Sequence, residues 1–426
     1  VADTDIHRSV ETVFRIEQAR LIAGLTRMVR DVGLAEELAQ DALVTALAEW
    51  PSSGVPDNPG AWLMAAARRR AIDRLRRAKM QERKHAEIGR DLDEGRDAVD
   101  QIDAALDDDI GDDLLNLIFI ACHPVLSPDA RVTLTLRLIA GLSIAEIARA
   151  FLTTEPTVAQ RITRAKKTLQ ESGAAYEAPR GEERARRLTS VLEVIYLIFN
   201  EGYAATAGDD LIRADLCTEA QRLGRILTGI APHEPEAFGL LALIEIQASR
   251  LKARVGPDGA AITLPEQNRA LWDQLLIGRG LEALARAETL GGADGAYALQ
   301  AAIAACHGRA RTAADTDWRR IASLYDRLQE VIPSAVVDLN RAVAHSMAFG
   351  HEAGLALLAP LEQQEILRDY LPLPAAKGDF LYRAGRYAEA RAAFEAAAAL
   401  SRNAAERNFL LKRAAACGPA RPVTLE

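Results

Sequence analysis

Between Ser127 and Gln170 the chain carries local signals that leave little freedom in how it folds. Ser143, followed three residues on by Glu146, makes a capping box in which each side chain satisfies an orphan backbone N–H at a helix start. Ile144, Ile147, Ala148 and Phe151 then recur at the 3.6-residue period that buries one face. After a short turn at Leu152 and Thr153, Thr154 can cap a second helix. Glu155 and Pro156 fall in its first turn, where a missing N–H costs nothing. Val158, Ile162, Ala165 and Leu169 form the buried stripe of that helix, and the outer face is left with Thr157, Gln160, Arg161 and Arg164, then Lys166 and Lys167. Short polar groups and Arg suit base edges, and Lys suits phosphates, so the pair has the distribution of a helix-turn-helix with its recognition helix second. A helical hairpin with a merely solvated basic face shows the same local pattern. The rest of the chain distinguishes the two.

The net charge of −8 argues at first against a polyanionic partner, but the charge is segregated. Gly60 to Arg90 holds ten Lys and Arg against three Asp and Glu, and Arg131 to Gln170 holds seven against two. Between them Asp91 to Asp113 has eleven acids and one Arg, the composition of a self-repelling, disordered segment. Two basic segments flanking an acidic connector fit local affinity for nucleic acid. Hydrophobic residues make up 49% of the 426, aromatic residues only 5%, and β-branched runs are scarce, so an all-α chain of two to four domains is expected.

Three helices are expected ahead of the connector. Val10 to Arg30 places Val13, Phe14, Leu21, Leu25 and Met28 on one side. Asp31-Val32-Gly33 breaks it, and Leu34 to Trp50 follows with Leu38, Ala42, Leu43 and Leu47 inward and Glu36, Glu37, Gln40 and Asp41 on or beside the exposed face. Beyond the loop to Pro59, a helix from Gly60 to about Lys79 packs through Trp62, Leu63, Ala66, Ile72 and Leu75. It carries Arg68, Arg69, Arg70, Arg74, Arg76, Arg77 and Lys79 with Asp73 as its one acid. A solvated helix normally mixes signs to gain i, i+4 pairs; this one repels itself unless a polyanion lies against it.

The segments Asp31 to Asp41 (DVGLAEELAQD), Ala46 to Pro51 (ALAEWP), Asn58 to Leu63 (NPGAWL) and Ala66 to Arg77 (AARRRAIDRLRR) resemble the promoter-opening domain of bacterial RNA polymerase sigma factors of the extracytoplasmic-function class. The helix-turn-helix, with Thr157-Val158 and Arg164-Ala165-Lys166 followed by Leu169, resembles the second promoter-binding domain of that class, in the same order and spacing. The resemblance implies that Asp31, Glu36, Glu37, Gln40 and Asp41 dock on the clamp helices of core RNA polymerase. It implies that Arg68, Arg69, Arg70, Arg74, Arg76 and Arg77 hold the minus-ten strand, with Trp62 the aromatic residue there, although packing in the core suits Trp62 better. A base taken out of the stack would enter a protein pocket, with positive charge along the backbone. Thr157, Gln160, Arg161, Arg164, Lys166 and Lys167 would meet the minus-thirty-five element, partly through DNA shape. Arg131 and Arg137 join the two lysines as candidates for phosphates. In the family the linker threads the polymerase cleft, where its acids would mimic nucleic acid; a soluble spacer is the other reading.

The expected divisions are 1–90 for the first module, 91–113 for the linker, 114–176 for the second and 180–426 for an extension, with Pro179-Arg180-Gly181 at the boundary. The extension reads as paired helices. In the clearest pair, Ala376 to Ser401, Leu381, Gly385, Tyr387, Ala390, Phe394 and Ala398 alternate small and large as in a tetratricopeptide-like hairpin. With Ile195 to Tyr203 (IYLIFNEGY), Leu299 to Cys306 (LQAAIAAC), Thr316-Asp317-Trp318 and Leu339 to Ala344 (LNRAVA), it resembles the subgroup of these sigma factors that carries a C-terminal tetratricopeptide-like domain. That implies control of activity by the extension, through a clamp on the promoter modules or a protein or small-molecule signal.

The four cysteines lie far apart, and neither Cys122-His123 nor Cys306-His307 has zinc spacing, so no metal or cofactor is expected. Asn200-Glu201-Gly202-Tyr203 and Asp315 to Trp318 are polar clusters without a nucleotide loop, metal motif or nucleophile elbow, which reads as interhelical hydrogen bonding and not catalysis. No secretory signal is visible and no apolar run is long enough to span a bilayer, so a cytoplasmic protein without membrane contact is expected. The alternative to a sigma factor is a ligand-responsive regulator that uses the helix-turn-helix without polymerase.

Overall fold

The computed structural model describes residues 2–86, 110–151, 153–173, 179, 181–203, 212–256, 262–401 and 404–418. Among them are eighteen α-helices and no strand. The acidic connector lies outside the described residues except for 110–113. The chain divides into two compact units, Val1–Pro232 and His233–Glu426.

In the first unit α1 (Ala2–Val29), α2 (Val32–Ser53) and α3 (Pro59–Ala86) pack on one another. Arg30, at φ 52°, turns the chain between α1 and α2, and Asp31 caps α2 by accepting from the Leu34 N–H at 2.9 Å. Small residues set the approach of α3: Leu63, Ala67 and Ala71 are buried four apart, whereas Leu75, expected inward, is 38% exposed. Next come α4 (Ile110–Ala121), α5 (Pro128–Leu138), α6 (Ile144–Ala150) and α7 (Glu155–Glu171). Leu114, Leu115, Leu117, Ile118, Phe119 and Ile120 of α4 are all buried, as a helix apolar nearly all round must be. It packs against α1 on one side and α5 on another.

The unit does not end with α7. It continues through α8 (Gly181–Tyr203) and α9 (Ala214–Ile230) to Pro232, past the expected boundary at 180. The reason lies in carbonyls that helices leave without partners at their C-terminal ends. Arg187 Nη1 donates to Phe119 O (3.4 Å), Ser190 Oγ to Cys122 O (2.6 Å), Arg222 Nη2 to Ile139 O (2.9 Å) and Arg213 Nη1 to Ala150 O. Each acceptor stands at or just past the end of α4, α5 or α6, so α8 and α9 complete helices that would otherwise expose those groups. Burial here pushes the Cys122 thiol up to about 12. The cluster at Asn200 to Tyr203 serves the same packing: Gly202 O accepts from the Arg213 N–H at 2.7 Å, and Glu201 pairs with Arg213.

The second unit consists of α10 (Pro235–Ala248), α11 (Gln274–Thr289), α12 (Ala296–Arg309), α13 (Trp318–Val331), α14 (Ala335–Phe349), α15 (His351–Leu358), α16 (Pro372–Arg383), α17 (Tyr387–Leu400) and α18 (Ala404–Ala416). Successive helices pack as hairpins, α14 with α15 and α16 with α17 among them. In the latter, Gly378 lies so close to the Phe394 ring that an added Cβ would fall 2.8 Å from it, and Leu381, Ala390, Phe394 and Ala398 share a core with Leu410 and Cys417 of the last turns. Tyr387 differs from expectation: it is 48% exposed and edges onto Tyr382. Asp317 caps α13, while Thr316 accepts from Arg269, which also donates to the His307 and Ala310 carbonyls.

Two expectations follow. A Cβ on Gly202 would stand 2.7 Å from Cys217 N and 2.8 Å from Leu216 Cβ, so Gly202→Ala should destabilise the first unit by about 1–3 kcal/mol in chemical denaturation. Burial and the nearby Arg250 and Arg269 lower the His307 imidazole to about 4, so the native ring stays neutral where the unfolded one takes up a proton. Stability of the second unit should therefore be fully held above about pH 6.5 and decline as pH falls through 4, with a shallower decline in His307→Gln measured by pH-resolved melting.

Candidate nucleic-acid interface

The helix-turn-helix forms as its caps dictate. Ser143 N donates to Glu146 Oε2 at 2.7 Å and Glu146 N to Ser143 Oγ at 3.1 Å, which completes the capping box on α6. Thr154 Oγ1 accepts from the Thr157 N–H at 3.4 Å and starts α7. Val158, Ile162, Ala165 and Leu169 are buried, so the helix is fixed in rotation. Thr157, Gln160, Arg164 and Lys167 face solvent. Arg161 is half-buried and paired with Asp129 at 3.3 Å, across a groove of about 370 Å³ that Thr157, Gln160, Arg161 and Arg164 line with the start of α5.

On α3, Arg69, Arg70, Arg74, Arg76 and Arg77 are exposed and Arg68 half-buried. Two of them meet acids of α2: Arg70 pairs with Asp41 at 3.2 Å and donates to Thr45 Oγ1 at 2.7 Å, and Arg74 pairs with Glu37 at 3.4 Å. Trp62 is half-buried, edge-on to the buried Trp50 at 5.3 Å. A cleft of about 440 Å³ opens between α1 and α3, lined by Glu17, Arg20, Gly24, Asn58, Met64 and Arg68 among others.

Glu36 departs most from expectation. It was placed on or beside the exposed face of α2 with Glu37, Gln40 and Asp41. Those three keep solvent contact, but Glu36 is only 5% exposed. Arg137 Nε donates to its Oε1 at 2.7 Å and Lys166 Nζ to its Oε2 at 2.5 Å. The same contact takes Arg137 away from the phosphate role expected of it, and Lys166 is turned inward while Lys167 stays 72% exposed. Arg131 is likewise turned in, bonded to Ser190 and Glu193 on α8. A signal for Glu36 was present: it lies four residues after Val32 and three before Ala39, both buried, so it belongs to the inner stripe of α2. Among the described residues no group of three or more His, Cys, Asp or Glu side chains could hold a metal ion, and no helix is long and apolar enough to cross a membrane.

Family models of sigma-70 region 2 and sigma-70 region 4 match residues 13–80 and 116–169. Residues 187–288 match a family of unknown function, DUF6596. An uncharacterized protein of Rhizobium meliloti, R00370, is 42% identical over 394 residues, which span 91% of both chains. The probable ECF RNA polymerase sigma factor SigI of Mycobacterium tuberculosis is 29% identical over 172 residues, 40% of this chain and 57% of its own length. SigK of Mycobacterium sp., an ECF RNA polymerase sigma factor, is 36% identical over 80 residues, 18% of this chain and 39% of its own. The chain belongs to the extracytoplasmic-function class of RNA polymerase sigma factors. Sigma-factor families imply core RNA polymerase and promoter DNA as partners, and sigma factors are transcription initiation factors and not enzymes. The region 2 match falls on α1 to α3 and the region 4 match on α4 to α7, and the chain carries a helical C-terminal extension.

The exposed cations on α7 imply a salt signature. If Lys167 meets a phosphate, Lys167→Ala in the sigma factor bound to core polymerase should reduce the slope of log affinity against log salt on promoter DNA by roughly one unit, with little change in sequence preference.

Proposed function

We propose that this sigma factor docks on core polymerase through the acidic face of α2, with Asp31, Glu36, Glu37, Gln40 and Asp41. The arginines of α3, from Arg68 to Arg77, track the single strand of the minus-ten element, and the cleft between α1 and α3 receives an unstacked base. Thr157, Gln160, Arg161 and Arg164 of α7 read the minus-thirty-five element, with Lys166 and Lys167 on the flanking phosphates. The observation that carries this reading is the pair of exposed cation-rich helices, α3 and α7, in modules that match regions 2 and 4 in that order. We further propose that the C-terminal unit, His233–Glu426, controls activity through a protein or small-molecule signal. The relative from Rhizobium meliloti, similar along 91% of its length, supports a working unit larger than regions 2 and 4 alone.

Mixing the full chain with core polymerase should give promoter-specific transcription, and Arg164→Ala should reduce it about tenfold or more, the worth of one good base contact. A helix-turn-helix regulator acting without polymerase would instead bind DNA tightly alone and need another sigma factor. Because α8 and α9 satisfy carbonyls of region 4, the informative truncation falls after Pro232 and not at residue 180. Gain of transcription would mean that the second unit restrains the factor, and loss that it is required. An unchanged rate would refute control by that unit.

A further inference from the structure

An acid, Asp129, lines the groove beside the exposed face of α7, among groups that are otherwise polar, apolar or basic. Local signals place it there. Ser127 caps α5 by accepting from the Ala130 N–H at 3.4 Å, and Pro128 follows, which puts Asp129 in the first turn of the helix. From that turn its carboxylate meets Arg161 Nη2 at 3.3 Å, across a groove of about 370 Å³ that the start of α5 shares with Thr157, Gln160 and Arg164. The Asp129 side chain is 74% exposed and that of Arg161 31%, so a nucleic acid entering the groove reaches both. Thr157 is also held, with its hydroxyl 2.8 Å from that of Thr154, whereas Arg164 has no such partner among the described residues.

An exposed carboxylate on a DNA-reading face repels phosphates, so it lowers affinity for every sequence. Little stability comes in return, because exposed ion pairs contribute little to folding. The effect of Asp129 falls instead on the geometry of Arg161. A guanidinium on an unrestrained side chain turns to the nearest phosphate, which carries no sequence information. Held at Nη2 by a carboxylate, it presents its remaining N–H groups in a fixed direction, as the paired acceptors of a guanine require. We propose that Asp129 is a positioning residue for promoter selectivity: it orients Arg161 toward a base edge of the minus-thirty-five element and withholds that arginine from phosphates. The inference rests on the reading of Arg161 as a base contact. Repulsion adds to the selectivity, since a docking register that brings a phosphate into this groove meets Asp129. One base pair is then read with the help of a second helix, α5, outside the recognition helix.

The test uses the full chain bound to core polymerase and a set of promoters in which each minus-thirty-five base pair is replaced in turn. Arg161→Ala should abolish preference at one base pair and so identify the position that Arg161 reads. Asp129→Asn, which keeps the size of the side chain and removes its charge, should cut preference at that same base pair by about threefold to fivefold, the worth of an exposed ion pair. Preference at the base pair lost in Arg164→Ala should not change. Affinity for DNA of unrelated sequence should rise, and the slope of log affinity against log salt should steepen by roughly one unit as Arg161 turns to a phosphate. In an Arg161→Ala background, Asp129→Asn should have no further effect on base preference, because the two side chains act as a unit. A role confined to the start of α5 would change stability in chemical denaturation but not preference at a single base pair. An Asp129→Asn variant with wild-type preference, or one that loses preference equally at every position, overturns the proposal while the reading of Arg161 stands. If Arg161→Ala leaves every base preference intact, that reading fails, and the role of Asp129 with it.

Discussion

Taking a carboxylate out of water costs several kcal/mol unless cations and hydrogen bonds meet it on every side, and the arrangement of the first unit depends on how this is done for Glu36. Its two oxygens are matched to an Arg from α5 and a Lys from α7, with Gln40 Nε2 also donating at 3.4 Å. The gain from such a group is geometric more than energetic, since apolar residues of similar volume often stabilise as well or better. What an apolar substitute lacks is reversibility. An ion pair opened to water is rehydrated on both sides, whereas an opened apolar contact leaves sticky surface.

The first two helices of the extension belong with region 4 for a related reason. Phe119, Cys122, Ile139 and Ala150 each have a carbonyl at or beyond the end of a short helix, and α8 and α9 supply the donors. At the end of α6 the Phe151 and Thr153 N–H groups meet the Ile147, Arg149 and Ala148 carbonyls, and the Ala150 carbonyl is left to Arg213 of the segment that follows region 4. The match to a family of unknown function begins at residue 187 and runs to 288. It therefore includes the capping groups Arg187, Ser190, Arg213 and Arg222 together with the start of the second unit. A sigma factor of this kind has its DNA-reading element stabilised by the segment through which the chain continues into the second unit.

Local order was legible in the sequence. The capping box at Ser143, the cap at Thr154 and the four-residue stripe of α7 need only neighbours within a few residues, and each forms as read. The hairpin at Ala376 to Ser401 was legible for the same reason. What escaped is pairing over distance. Nothing near Glu36 specifies that Arg137 and Lys166 will meet it, 101 and 130 residues away. Nor does the Pro179-Arg180-Gly181 signal reveal that the helices after it return to cap those before it. Side-chain charge was read as surface charge, which holds for Arg164 and Lys167 but not for Glu36, Arg131 or Arg137, where tertiary packing overrides the usual exposure of charged residues.

The arginine helix shows the other side of the balance. Nine Lys and Arg with two acids make α3 self-repelling, yet it forms. Asp41 and Glu37 on α2 relieve part of that repulsion through Arg70 and Arg74, but all four side chains are between 43% and 64% exposed. Exposed pairs of this kind contribute about 0–1 kcal/mol and weaken with salt, so they hold the arginines in place without competing seriously against a phosphate. On the proposed reading the same two acids belong to the polymerase-docking face. When polymerase engages Glu37 and Asp41, Arg70 and Arg74 lose their intramolecular partners and the repulsion along α3 is restored. The most favourable remaining partner is then the single-stranded backbone of the promoter, so the acids that shield the helix in the free protein would also time its exposure to DNA.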